Sequence, residues 1–481
     1  MTWAESGLYP ILQGLMGAER ELLVFAAFWF AVGLADEFAV DCAWIWLRLT
    51  GRARTARLPQ DFGRSELAGP AAVLIPAYEE AEVIATTVAH MLRTWSQREL
   101  RIYVGCYAND ASTVAAAAQG AVDDARVRIV VHAARGPTTK ADCLNRLYAA
   151  LCADERRSGR PFRAVVLHDA EDMVHPAALQ AIDTALSAHD FVQLPVRPAL
   201  DPHSRWIAGH YADEFAESHA KALVVRSALG AALPAAGVGC GFSRSALARL
   251  AARRTAEGDS GPFATDCLTE DYELGLMLSR EGRGSVFLRL RDAAGNLVAT
   301  SSYFPARLAA AVRQKTRWVH GIAFQAWDRM GWSARPIELW MALRDRRGPL
   351  TALVLFCAYL LLLIDAVLLL AAQFGAQWLL PVSPAVRALA WLSVAGFVWR
   401  TVMRLAFTAR EYGLREGLYA VLRIPVGNII AIMAGRRALT AYLRSLAGQP
   451  VAWDKTAHSS HPAILAQPSG RRTMTPHEVR A

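Results

Sequence analysis

Three uninterrupted apolar stretches constrain this chain more than any other feature. Leu22–Leu47, Leu350–Phe374 and Ala388–Phe407 are each long enough to cross a bilayer, which takes about 20 residues for roughly 30 Å of hydrocarbon. About 300 residues separate the first from the second, and they read nothing like membrane helices. The 481 residues are 54% hydrophobic and 20% charged. That mixture fits a water-soluble domain held by a few membrane helices better than either extreme alone.

Charge sets the expected orientation. Arg48, Arg52, Arg54 and Arg57 follow the first stretch, Arg344, Arg346 and Arg347 precede the second, and Arg410 and Arg415 follow the third. By the positive-inside rule these flanks are cytoplasmic, and residues 375–384 lie outside. The net charge of +9 is concentrated beside apolar segments. Membrane lipid is therefore the expected anionic partner, and no zinc finger, basic zipper or RNA-binding signature suggests nucleic acid. No signal-peptide order is present at the N-terminus. Seven cysteines without a C-x-x-C read as reduced thiols. Asp36, Glu37 and Asp41 fall inside the first apolar stretch and Arg400 and Arg404 inside the third, where unpaired charge is costly. Asp36 and Asp41 are expected to pair with Arg400 and Arg404.

Between the apolar stretches the pattern alternates. Apolar runs at Ala71–Pro76, Arg101–Tyr107, Val127–His132 and Arg163–Asp169 read as strands, separated by helical segments at Glu80–Thr94, Ser112–Gln119 and Lys140–Ala153. The expected fold class is α/β, a parallel doubly wound sheet joined to an α-helical membrane region. Ligands of such sheets bind at the carboxyl ends of the strands. Those ends carry Pro76-Ala77-Tyr78-Glu79, Asn109-Asp110, His132 and Asp169-Ala170-Glu171-Asp172. An acidic cluster at a strand end suits a hard divalent ion such as Mg²⁺ or Mn²⁺. No G-x-G-x-x-G follows the first strand, which argues against a dinucleotide enzyme. Further on, Val238–Ser243 is glycine-rich, Glu270 and Asp271 open a helix, and Gln314, Arg317 and Trp318 share one face of the helix Ala306–Gly321.

The domains expected from these patterns are 1–50 with the first span, 51–69 as a basic linker, 70–335 as the cytosolic domain, 336–410 with two spans, 411–448 as an interfacial amphipathic helix and 449–481 as a poorly ordered tail.

Five ordered motifs resemble the membrane-anchored, inverting family-two glycosyltransferases, the group that includes cellulose and hyaluronan synthases. Pro76-Ala77-Tyr78-Glu79-Glu80 is similar to P-x-Y-N-E-E, with Glu79 at the usual Asn. Asn109-Asp110-Ala111-Ser112 is similar to D-D-x-S, with Asn109 departing. Lys140-Ala141-Asp142-Cys143-Leu144-Asn145 is similar to K-x-x-A-L-N. Asp169-Ala170-Glu171 is similar to D-x-D, and Thr269-Glu270-Asp271 with Gln314–Trp318 is similar to T-E-D and Q-x-x-R-W. The resemblance covers residues 20–456 and implies a GT-A fold. It implies a nucleotide site at Pro76, Tyr78, Glu79, Asp110, Lys140 and Asp169, a Mg²⁺ or Mn²⁺ ion on Asp169 and Glu171, and a base at Asp271 beside Glu270. It further implies diphosphate and acceptor contacts from Gln314, Arg317 and Trp318. The implied partners are a UDP-sugar and a glycan or lipid-linked acceptor, with an export partner or an oligomer. The implied location is the bacterial inner membrane, multi-pass, with the catalytic domain in the cytoplasm and the product an exported surface polysaccharide. Asn109 and Glu171 also leave room for a non-catalytic membrane assembly or receptor module with a degenerate site.

Overall fold

A computed structural model describes residues 9–373, 383–449 and 461–465. The chain divides into two compact units. One comprises Thr55–Asp201, Gly230–Phe304 and Lys455–Ala481; the other comprises Met1–Arg54, Pro202–Leu229 and Pro305–Asp454. The block 70–335 is thus not one body. Residues 202–229 and those after 305 pack with the long apolar helices.

The first unit is built on a seven-stranded sheet. Its strands are β1 (Ala71–Pro76), β2 (Leu100–Tyr107), β3 (Val127–His132), β4 (Ala164–Leu167), β5 (Phe191–Gln193), β6 (Cys240–Ser243) and β7 (Ser285–Phe287), in the spatial order β3-β2-β1-β4-β6-β5-β7. The first four run parallel, with β1, β2 and β4 buried and β3 at the half-exposed edge. The sheet as a whole is mixed: β6 is antiparallel to both β4 and β5. Helices Ile84–Thr94 and Ala178–Ala185 supply Ile84, Val88, Met91, Leu179 and Ile182 to a core under β1 and β4. The basic linker is partly structured, since Ala56–Arg57 pairs in parallel with Leu290–Arg291. Part of the expected tail is ordered too. His461 is fully buried, and helix Pro462–Leu465 packs against Ile84–Thr94. The rest of that tail, and residues 375–382, lie outside the described residues.

Among the described residues of the second unit, three helices are long and apolar enough to cross a membrane: Pro10–Leu49, Gly348–Gln373 and Pro384–Tyr412. The first is longer than its apolar stretch, because the residues before Leu22 continue the helix. Helices Leu414–Leu422 and Ile424–Leu446 follow as a pair bent by 51°, which could make a fourth span if taken together. Two helical segments widen into π turns, Ser218–Ala222 and His320–Gln325.

The buried charges of this unit are paired, though not as expected. Asp36 accepts from Trp340 Nε1 at 2.6 Å and pairs with Arg344 and Arg347. Asp41 pairs with Lys221 at 2.5 Å and accepts from Trp399 Nε1 at 2.7 Å. Arg400 reaches Glu37 at 3.0 Å and Glu217 at 2.8 Å. The first and third apolar helices are therefore joined by charge, but through Glu37. Lys221, invisible to a search confined to apolar stretches, takes Asp41.

Candidate active site

The carboxyl ends of β1, β2 and β3 form a tightly fastened loop cluster. After Pro76 the chain turns so sharply that Glu79 adopts a left-handed backbone (φ 52°), a conformation costly for a residue with a Cβ and typical of functional turns. Asp110 secures that turn. Its Oδ2 accepts the Glu79 N–H at 2.5 Å, while Oδ1 accepts from Thr113 N at 3.2 Å and Ser112 Oγ at 2.9 Å, capping helix Ala111–Ala121. Burial alone would raise the Asp110 carboxyl; these hydrogen bonds outweigh it and hold the group below its ordinary value. Neighbouring Asn109 exchanges two hydrogen bonds with Gly136, at 3.0 and 2.8 Å. Tyr78 meets Tyr107 edge to face at 5.2 Å, and Tyr107 stacks on His132. His132 Nδ1 accepts from Ala134 N–H, so Nε2 carries the proton donated to Asp142 at 2.9 Å. Tyr78, Glu79 and Asp110 are thus brought together, with Asp110 acting inside the cluster as a fastener.

The second half of the site centres on Lys140. It opens helix Lys140–Ser158, whose N-cap Thr139 accepts from Asp142 N. Lys140 Nζ lies 2.5 Å from Asp169 Oδ1 at the end of β4. Burial would lower the Lys140 pKa, but Asp169, Glu270 and Asp271 together push it well above the ordinary lysine value. Glu270 and Asp271 stand in the first turn of helix Glu270–Arg280, where the helix dipole favours carboxylates. A single glycine lets these groups close in: a Cβ on Gly237 would stand 2.5 Å from Asp271 Oδ2 and 3.3 Å from Lys140 Nζ. Gly237, just before the glycine-rich run Val238–Ser243, thus admits the protein's own side chains.

Behind Asp169 lies a rigid support. Asp172, fully buried, accepts from the Asp169 N–H at 3.0 Å and from His168 Nδ1 at 2.8 Å. Burial raises its pKa. Thr87 Oγ1 donates to the Ala170 carbonyl, and His461 reaches the Asp172 carbonyl at 3.4 Å. Asn145 fastens a second loop by donating to the Phe263 carbonyl at 2.8 Å and accepting its N–H at 3.0 Å. Sequence reasoning assigned Asn145 no role, and Gly237 and the His168–Asp172 pair escaped it as well. The i, i+4 spacing of His168 and Asp172 was the available signal.

Among the described residues no group of three His, Cys, Asp or Glu side chains could hold a metal by itself. The donor set instead fits a hard ion that arrives with a diphosphate. Mg²⁺ typically takes one or two carboxylates and completes its shell with phosphate and water. The Asp169 side chain is one-third exposed and available for that, whereas Glu171 is buried.

Gln314, Arg317 and Trp318 belong to the other unit, on helix Leu308–Val319. Trp318 packs edge-on against Tyr211 at 6.0 Å and tilted against Phe215 at 6.4 Å, so part of its ring is committed to packing.

Comparison with known proteins gives the family and the fold. Residues 68–321 match the family model described as glycosyltransferase-like family 2. The bacteriophage adsorption protein B of Escherichia coli K12 is 34% identical across 92% of this chain, as is the bacteriophage N4 adsorption protein B of E. coli O157:H7. This chain spans 62% of the length of those relatives. Among solved structures, the mannosyltransferase PcManGT of Pyrobaculum calidifontis, in complex with GDP-Man and Mn²⁺, aligns over 87% of this chain and 99% of its own. Its TM-score is 0.52 at 17% identity, a likeness of fold.

Proposed function

Because the chain belongs to the glycosyltransferase-like family 2, whose model matches more than half of it, we propose that it is an inverting, membrane-bound glycosyltransferase with its sheet domain in the cytoplasm. It takes a sugar from a UDP-sugar and passes it to a glycan or lipid-linked acceptor. One observation carries the reading: Lys140 pairs with Asp169 at the carboxyl end of the sheet, and Asp271 approaches the same lysine across Gly237.

The chemistry follows from the residue types. Asp271 accepts the proton of the acceptor hydroxyl as that oxygen attacks the anomeric carbon; the bond to the diphosphate breaks, and UDP leaves with the electron pair. In-line displacement inverts the centre. Lys140 supplies positive charge for the leaving diphosphate, and the motif resemblance gives Arg317 a diphosphate contact. A Mg²⁺ or Mn²⁺ ion, held by Asp169 with Glu171 nearby, would add Lewis-acid neutralisation of the same charge. The Tyr78, Glu79 and Asp110 cluster shapes the nucleoside end. Gln314 and Trp318 serve the acceptor side. The curated relatives are named for bacteriophage adsorption. A catalytic domain facing the cytoplasm meets a phage only through a product sent outward, so the product is taken to be an exported surface glycan.

The test uses the purified full chain in Mn²⁺ with a panel of UDP-sugars and GDP-mannose, following nucleotide release. One donor should be turned over, and Asp271→Asn should abolish release. If no donor is turned over, the catalytic reading fails in favour of a binding module.

A further inference from the structure

In the membrane-associated unit one arginine sits where a helix breaks. Leu414–Leu422 and Ile424–Leu446 meet at 51°, and Arg423 between them is fully buried. Burying a guanidinium is unfavourable by several kcal/mol unless good partners repay it. Arg423 Nε and Nη2 reach the two oxygens of Asp213 at 2.8 and 2.6 Å, a bidentate pair. Its Nη1 reaches Glu416 at 2.9 Å and the Arg205 carbonyl at 3.2 Å. Asp213 is buried as completely as its partner. Space for the fork exists because residue 209 is glycine; a Cβ there would stand 2.6 Å from Nη1.

Asp213 lies in helix Gly209–Glu217. Its neighbours in that helix hold the Leu308–Val319 helix. Tyr211 and Phe215 pack against Trp318, and Tyr211 Oη donates to the Ala311 carbonyl at 3.5 Å. Glu214 pairs with Lys315, whose Nζ also stands 5.3 Å from the Tyr211 ring. One helix is thus pinned at Asp213 by the break and grips the Gln314–Trp318 helix with the residues around it. On the other side, Leu414, Leu418 and Leu422 form an exposed apolar row at i, i+4 and i+8, a face suited to lipid.

We propose that Arg423 is a positioning residue. Through its two-point grip on Asp213 it fixes helix Gly209–Glu217, and through that helix the orientation of Gln314, Arg317 and Trp318. The assignment of those three to the acceptor and diphosphate rests on the function proposed above. A bidentate fork specifies orientation as well as charge, so lysine, a point charge, does not replace it.

The experiment uses the full chain in lipid nanodiscs. Arg423→Lys keeps the charge and removes the fork. Gly209→Ala keeps both charges, crowds the fork, and serves if Arg423→Lys does not fold. Three quantities are read: hydrogen exchange across residues 308–319, UDP binding, and the kcat and KM of the active donor. The expected result is faster exchange in 308–319 and kcat down about tenfold, as for a misplaced reacting group, with UDP affinity falling by less than kcat because Arg317 is only one of its contacts. Unchanged exchange in 308–319 in a folded variant overturns the proposal. So does a loss of UDP binding as large as the loss of turnover. If wild-type protein turns over no donor, the catalytic reading fails, and hydrogen exchange alone still decides whether Arg423 orients this helix.

Discussion

Two of the charge clusters among the described residues stand in different settings. Among the long apolar helices, Asp36, Glu37, Asp41 and Glu217 interleave with Lys221, Arg344, Arg347 and Arg400, four acids against four bases. Around Lys140 the ammonium pairs with Asp169, and Asp271 approaches the same lysine across Gly237. The balanced set behaves as structure: each charge neutralises another, and the set ties helices together. The Lys140 set stands at the carboxyl ends of a parallel sheet, where ligands of such sheets bind, and its Asp169 side chain is one-third exposed. Pairing alone would not have separated the two; place in the fold does.

Four measurements put this contrast at risk. The largest effect is expected at Asp271→Asn, which should cost roughly 10³-fold in turnover, the scale of a lost general base, while the melting temperature stays close to wild type. A large loss of stability instead would place Asp271 with the structural charges. Next comes Lys221→Met, which strands Asp41 and should destabilise the protein by about 3–5 kcal/mol in detergent unfolding. Adding Asp41→Asn should restore much of that; no recovery would refute the balanced network. Smaller is Asp172→Ala, which frees the Asp169 N–H and His168 and should weaken Mn²⁺ activation about tenfold, as removal of outer-shell support does. Asp172→Asn keeps an acceptor oxygen and should be milder. If Asp172→Ala abolished Mn²⁺ binding while Glu171→Ala left it intact, the metal assignment would move from Glu171 to Asp172.

The smallest effect concerns acidity. Burial pushes His461 down to about 4 from an ordinary value near 6.5. A depressed folded-state pKa stabilises docking fully above the undocked value, and that stability is lost as pH falls from 6.5 toward 4. The protection of residues 461–465 against hydrogen exchange, taken relative to the intrinsic rate at each pH, should therefore fall over that window. His461→Gln should flatten the dependence.

Much of the sheet was legible in the sequence. The runs Ala71–Pro76 and Val127–His132 match their strands end to end; the first is covered on both faces and needs an unbroken apolar run, while the second is a half-exposed edge strand betrayed by its β-branched residues. Ser285–Phe287 went unseen, since three residues carry no periodicity. The site motifs were legible as an ordered set, but their roles depended on folding. Asp110 became a fastener because the Glu79 turn delivers an N–H to it, and Asn145 because a distant loop at Phe263 comes back to it. Charge partners in the membrane helices were illegible for a similar reason. A sequence shows which charges are buried in apolar stretches, and it does not show that Lys221 arrives from outside them.

The π turn at Ser218–Ala222 carries Lys221 and joins the two α-helical pieces beside it. A wide turn of this kind holds one residue more than the α-helix it interrupts. Removing that extra residue would let the turn close into ordinary α-helix, leaving the flanking helical pieces nearly in register while shifting Lys221 within the segment between them. A single-residue deletion at Ser218–Ala222 therefore tests the placement of Lys221 beside Asp41 with less disturbance to the flanks than a deletion anywhere else in these helices.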